Sequence, residues 1–327
     1  MSEFDEVLSA LVDTGTIAGL SIAVINDGDL VYSRSLGIAE TATNMPVTGC
    51  TVFEGASITK PLFGQFVMTF VDEGRLDLDM PLYEYLPHPD LSPSAESEAI
   101  TARMVLSHQT GLPNWRSDDP DRGLTFSFFP GTNFEYSGEG YQYLALVLQK
   151  IAGTDGPGLE RMFQERIARP AGMVRTQIIP SPNFQKLKAQ PYLSDLVPTK
   201  RWTYNDVFGA AYGVNTDAAD YAKWVMAVLR GEGLSDQAWA AYLAPQNVDV
   251  PQTPETTQFG EAQIALGFFV YDLPGLGRVY FHDGNNLGFS SVVAIHPETE
   301  WAFVAMTNTN RSVQPLVDTA LFLNRPS

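Results

Sequence analysis

The chain has 327 residues, 44% of them hydrophobic, enough for one large core or two closely packed subdomains. Its formal net charge of −18 excludes nucleic acid and anionic membrane as partners, since both repel a surface of that sign. A lone cysteine, Cys50, excludes an intrachain disulfide, and the four scattered histidines, His88, His108, His282 and His296, lack zinc-ligand spacing; neither metal nor cofactor is expected.

The acidic start, MSEFDEVLSALVDTG, lacks the basic residues and apolar run of a secretory leader. No apolar stretch is long enough to span a bilayer. The expectation is a cytoplasmic protein, or a periplasmic one whose leader has been removed. Residues 4–14 read as a first helix. GLSIAVIN, Asp27-Gly28 and DLVYSRSLG then read as a β-hairpin, because an Asp-Gly pair between β-rich runs favours a two-residue turn. A helix beginning near Ala56 carries Leu62, Phe63, Phe66, Val67, Phe70 and Val71 at the spacing of one buried face, and Gly74 stops it. From about 99 to 250 the pattern is mainly helical with long loops: a short helix ended by Gly111 and Pro113, then Gly140 to Ile151, Leu159 to Ala168, and Thr216 to Arg230 with Thr216 as N-cap. After 262, four apolar runs at close spacing predict an antiparallel meander, and a helix from Val313 to Leu323 closes the chain.

This order predicts an α+β fold, an antiparallel sheet flanked by helices with an inserted mainly helical domain. The sheet domain comprises 1–75 and 255–327 and the helical domain 76–254. Chemistry is expected in the cleft between them.

Ser57 and Lys60 form the chain's one Ser-x-x-Lys, at the mouth of that apolar helix. Residues three apart share a helix face, so the hydroxyl and the amine meet. A hydroxyl is a poor nucleophile until a neighbour takes its proton, which an amine held close can do. An acyl-transfer serine also needs a proton partner, oxyanion donors and walls. Tyr136, in PGTNFEYSG before a helix, can present a phenol whose pKa a lysine ammonium would lower. His282-Asp283-Gly284-Asn285 ends a strand, where a glycine admits close approach to the backbone. There the Asn285 N–H can join that of Ser57 as an oxyanion donor. The aromatic stretch 114–129, beginning at Trp115, can line an apolar acyl pocket. Cys50 reads as a small buried residue. His108 reads as structural beneath the loop ending at Pro113, and His88 and His296, beside prolines, as solvent-facing.

In this order and spacing, these stretches resemble the serine β-lactamase and penicillin-binding-protein superfamily. The resembling branch holds the class C β-lactamases, D,D-carboxypeptidases, D-aminopeptidases and family VIII carboxylesterases. LSHQTGLP, PGTNFEY, GVNTDAADYAKW and HDGNNLGFSS carry the resemblance over nearly the whole chain. It implies that Ser57 is acylated, that Lys60 and Tyr136 share proton transfer with the base left open, and that the N–H groups of Ser57 and Asn285 hold the oxyanion. His282 would line the cleft where other members carry lysine. Two departures stand out. The β-lactamase Tyr-x-Asn is here Tyr136-Ser137-Gly138, which removes the amide that holds an acylamino side chain. The Lys-Thr-Gly is here His282-Asp283-Gly284, which replaces a fixed positive charge with a mostly neutral ring. No Ser-Asp-Asn and no Gly-x-Ser-x-Gly is present. The expected function is a carboxylesterase on small esters. β-lactamase, D,D-carboxypeptidase and D-aminopeptidase or amidase activities remain as alternatives, as does a retired recognition scaffold. The expected partner is a small ester, amide or lactam; oligomeric state is open.

Overall fold

The computed structural model describes residues 2–119, 121–200, 206–253, 256 and 259–310. Helix α1 (Ser2–Asp13) precedes β1 (Gly19–Asn26) and β2 (Asp29–Glu40). The hairpin forms as expected: Asp27 and Gly28 take φ of 51° and 73°, the signs a type I′ turn demands. β3 (Met45–Pro46) adds an edge. β4 (Phe53–Glu54) leaves the main sheet and pairs with β5 (Asn215–Thr216). Between them lie α2 (Thr59–Asp72), α3 (Ala95–Ala99), α4 (Ala102–Leu106), α5 (Gly138–Ala152), α6 (Gly156–Phe163) and α7 (Pro182–Gln185). α8 (Ala218–Leu229), α9 (Asp236–Leu243) and strands β6 (Ala262–Ile264), β7 (Phe269–Leu273), β8 (Gly277–Asn286), β9 (Phe289–His296) and β10 (Trp301–Thr307) follow.

The main sheet is antiparallel, in the order β3-β2-β1-β10-β9-β8-β7-β6. Alternation along its central strands serves two cores. Ala302, Val304 and Met306 of β10, with Val293 and Ile295 of β9, face the core shared with α2, α5 and α8. Phe303 and Ala305, with Val292 and Ala294, face the other, where Phe4 and Leu8 of α1 pack. β9 is buried on both faces, so its apolar stretch Val292 to Ile295 runs without alternation.

Several elements depart from expectation for local reasons. The terminal run ALGFFVYD is not one strand: Gly267, at φ 106°, folds it into the β6–β7 hairpin, so the meander has five strands. Thr216 does not cap α8. Asp217 does, its carboxylate accepting from the N–H of Asp220 at 3.0 Å, while the Thr216 hydroxyl bonds that of Thr176. The short helix α4 ends at Leu106, before Gly111, because His108 takes φ 58°. α2 is buried from Thr59 through Phe70 on every side, not on one face, which makes it the central helix of the molecule. The helix expected at 313–323 lies outside the described residues.

One buried ion pair ties the site-bearing segments together. Lys188 Nζ donates to Glu54 Oε1 at 2.7 Å, and Asn286 Nδ2 donates to Glu54 Oε2 at 2.7 Å, with both charged side chains almost fully buried. Glu54→Ala removes a carboxylate that a buried ammonium and the Asn286 amide both engage and is expected to destabilise the fold by about 3–5 kcal/mol, read from the urea unfolding midpoint. A shift under about 1 kcal/mol would mean that the pair contributes little to stability.

Candidate active site

The chain reaches Ser57 through a strained turn. Ala56, fully buried, takes φ 47°, a conformation an alanine adopts only when its surroundings impose it. The expected α-helix does not begin here. Ala56–Ile58 is a single 3₁₀ turn, and α2 starts at Thr59. Pro61 explains this, because it has no N–H to return to the Ser57 carbonyl four residues back. The turn is pinned from several sides. Thr59 Oγ1 donates to Ala56 O and accepts from Val214 N at 2.9 Å. Tyr221 donates its hydroxyl to Ile58 O at 2.8 Å, and Ser291 donates its own to Gly55 O at 2.6 Å.

Lys60 sits one turn below Ser57, buried to 1% exposure. Its Nζ donates to Ser57 Oγ at 3.0 Å and to Ala211 O at 2.9 Å. The same nitrogen lies 4.5 Å from the Tyr136 ring centre and 5.4 Å from that of Tyr141. Burial favours the neutral amine and lowers its pKa to about 7, with the Asp283 carboxylate pulling the other way.

Tyr136 is held by its ring. It stacks on His108 at 4.3 Å, and His108 Nδ1 accepts the N–H of Ser137 at 3.1 Å. Nδ1 therefore carries no proton, and burial holds the imidazole neutral. His108 is structural, as expected, but its work is to seat Tyr136. The phenol pKa goes up, not down as expected: burial raises it, the hydrogen bond with Ser57 offsets part of this, and Asp283 raises it further. Desolvation of the phenolate outweighs the nearby amine.

The second wall is the end of β8. β7 pairs β8 only as far as Phe281, so, among the described residues, 282–286 present a free edge. Asn286 and Phe289 flank a two-residue turn and are a hydrogen-bonded pair; alternation then makes Asn285–Ser290 a non-bonded pair. The Asn285 N–H therefore points away from β9, toward the open side. Gly284 brings this edge onto the Ser57 turn: a Cβ there would lie 2.5 Å from Gly55 O and 2.8 Å from Ser57 N. His282 is buried, its Nδ1–H donating to Asp283 O at 2.6 Å and its Nε2 meeting no polar partner among the described residues. Burial and Lys60 lower its pKa to about 3, so it brings no positive charge.

Trp115 and Gly138 belong together. A Cβ on Gly138 would lie 2.5 Å from Cη2 and Cζ2 of the Trp115 indole. That indole is fixed by its neighbours: Asn114 O accepts from Gly138 N and Glu139 N, and Arg116 pairs with Glu139 at 2.8 Å. It meets Tyr212 edge-on at 5.6 Å. The space a Tyr-x-Asn side chain would use is filled by tryptophan.

Ser57, Lys60 and Tyr136 thus converge, with His282, Gly284 and Asn285 along one edge and Trp115 beside Gly138. Three readings of single residues are corrected. Cys50 is exposed, since it lies in the turn before β4. His88 is buried against Tyr143 at 4.7 Å, its Nδ1 accepting from Asp90 N at 3.1 Å. His296 is fully buried at the end of β9 and pairs with the Thr299 hydroxyl. Adjacent prolines marked turns correctly but said nothing of what covers them. Glu54, Asp283 and Ser291 also shape the site and carry no motif of their own; the second and third lie inside HDGNNLGFSS, on adjacent rungs of one strand pair.

A sheet of this order flanked by helices, with a Ser-x-x-Lys at the mouth of its central helix, is a β-lactamase/transpeptidase-like fold. The Beta-lactamase family model matches residues 4–323, and the chain belongs to that family. Protein flp of Staphylococcus aureus (strain N315) is 22% identical over 335 residues, covering 96% of this chain and 64% of that protein. Unguisins hydrolase ungD′ of Aspergillus campestris is 28% identical over 342 residues, covering 95% of this chain and 62% of its own. The chain therefore spans less than two thirds of the length of these curated relatives. Among solved structures, the octameric penicillin-binding protein homologue from Pyrococcus abyssi superposes with a TM-score of 0.82 at 21% identity, covering 99% of this chain and 77% of that one. The D-alanine carboxypeptidase AmpC from Burkholderia cenocepacia gives 0.80 at 22%, covering 97% and 96%.

Gly138→Asn is expected to overpack against the indole and to cost about 1–3 kcal/mol. Thermal unfolding checks this, and adding Trp115→Ala in the same chain should recover most of the loss. Unchanged stability of the single variant would show that the indole moves aside.

Proposed function

We propose that the chain is a serine hydrolase working through an acyl-enzyme on Ser57, with small acyl esters as preferred substrates. The observation that carries this reading is the 3.0 Å contact between Ser57 Oγ and a buried lysine amine of pKa about 7. At neutral pH much of that amine is free to accept a proton, and it touches the oxygen that must lose one.

Lys60 takes the Ser57 proton as Oγ attacks the ester carbonyl. The N–H groups of Ser57 and Asn285 hold the oxygen that becomes negative. Collapse expels the alcohol, which receives the proton from Lys60 through the Tyr136 hydroxyl. Water then attacks the acyl carbon by the same route in reverse. With its pKa raised, Tyr136 serves as a protonated relay and hydrogen-bond donor; Lys60 is the base. In this reading the cleft lies between a sheet domain, which supplies Ser57, Lys60 and β8, and a helical domain, which supplies Tyr136 and Trp115.

Esters are preferred over lactams on two grounds. Gly138 offers no amide to an acylamino group, and Trp115 occupies the space for one. His282 is neutral and gives a substrate carboxylate no counter-charge. Hydrolysis of β-lactams or D-alanyl peptides is the second reading, favoured by the D-alanine carboxypeptidase and class C β-lactamase whose folds are similar.

The protein is expected to hydrolyse p-nitrophenyl butyrate and to turn over nitrocefin more slowly. Ser57→Ala should lose on the order of a thousandfold or more in kcat while keeping its circular dichroism. Mass spectrometry should find an acyl adduct on Ser57. Faster nitrocefin turnover would overturn the ester preference, and full activity in Ser57→Ala would overturn the nucleophile.

A further inference from the structure

His282 and Gly284 face the protein; Asp283 lies between them and is exposed. The pairing that frees the Asn285 N–H also frees the edge at Asp283, because Asp283–Val292 is likewise a non-bonded pair beyond the reach of β7. The carboxylate is felt at both reacting groups: it raises the pKa of Lys60 and that of Tyr136. Its carboxylate bonds its own backbone N–H, which points to that free edge, and the next residue, Gly284, abuts the Ser57 N–H, so the charge stands beside the Ser57 turn. Partial desolvation beside that turn raises its own carboxyl, while its backbone N–H and Lys60 pull it back down. Among the described residues, Lys60 is the one cation that acts on it, and that lysine is occupied with Ser57. His282 and His108, the histidines near Lys60, are both held neutral, and burial keeps the Tyr136 and Tyr141 phenols protonated.

We infer that Asp283 makes the cleft charge-selective: it accepts acyl compounds bearing a cationic or neutral group beside the scissile bond and rejects those bearing a carboxylate. The inference rests on the serine-hydrolase reading for its substrate chemistry and narrows its substrate class. A carboxylate brought to the free edge of β8 meets a second carboxylate in a site of low effective dielectric. An ammonium meets its complement there, and a neutral ester meets neither. The protein's net charge of −18 adds a long-range bias of the same sign, which salt screens more readily than the local one. Selection by a local carboxylate differs from simple loss of a positive residue, which would weaken anion binding without favouring a cation.

The test uses three thioesters with the same butyryl group: butyrylthiocholine, S-ethyl thiobutyrate and S-butyryl-3-mercaptopropionate. They form one acyl-enzyme, so they differ only in the acylation step. The expected order of kcat/KM is cation, neutral, anion, with about tenfold or more between the ends at 0.15 M salt. Asp283→Asn should shrink that ratio at least about fivefold. In parallel, calorimetry measures phenylboronic acids carrying a meta trimethylammonium or a meta carboxylate, which bind by adding Ser57 Oγ to boron and need no turnover. The ammonium compound should bind about tenfold tighter in the native chain, and the gap should narrow in Asp283→Asn. Turnover of all three thioesters without charge preference, or a preference undiminished in Asp283→Asn, overturns the inference and leaves the hydrolase reading standing. Charge-selective boronate binding with no turnover supports the inference and overturns the hydrolase reading. Neither turnover nor boronate binding overturns both.

Discussion

The hydrogen bond from Lys60 Nζ to Ser57 Oγ is the contact around which the rest of the structure is arranged. An ammonium is costly to bury, and α2 is the most enclosed helix of the molecule. The fold meets that cost with few groups: the Ala211 carbonyl, two aromatic faces from Tyr136 and Tyr141, and a carboxylate at a distance. This is enough to hold the side chain in place and too little to keep it charged at every pH. A surface lysine would be a fixed cation; this one is poised to exchange its proton near neutrality.

The Ser57 turn and the β8 edge must also keep a fixed separation if, as proposed, two backbone N–H groups are to serve one oxygen. Three contacts set it. Gly284 removes the side chain that would push the strand away, Ser291 ties β9 to Gly55 O, and Glu54 ties the β8–β9 turn to Lys188. These come from segments far apart in the chain, so the spacing of the two N–H groups depends on the assembled sheet and not on any local motif. Strain at Ala56 belongs to the same arrangement, because a turn this constrained holds only while its surroundings are intact.

Much of this was legible in the sequence. The Asp27-Gly28 turn, the antiparallel meander and the Ser57–Lys60 pairing follow from local chemistry that tertiary contacts do not override. The order of motifs marked Tyr136 and His282–Asn285 as partners, and the structure brings them together. Reasoning failed where the outcome depends on what packs against a residue. His88 and His296 stand beside prolines and are buried because other elements cover those turns. Tyr136 has a raised pKa, not a lowered one, since the depth of a cleft is not written in a loop. Gly138 read as a missing amide, and only the position of Trp115 shows that the space is already taken. The start of α2 was misplaced by one short turn, although Pro61 was there to be read.

The central claim is that burial makes Lys60 a base at neutral pH. The most direct measurement is an NMR titration of the lysine ε-carbon resonances in selectively labelled protein, with Lys60→Arg used to assign the signal. The Lys60 ε-carbon should titrate near pH 7, as its burial dictates, while solvent-exposed lysines titrate near the usual value of about 10.4. A Lys60 signal that stays protonated above about pH 9.5, close to an ordinary lysine, would contradict the account.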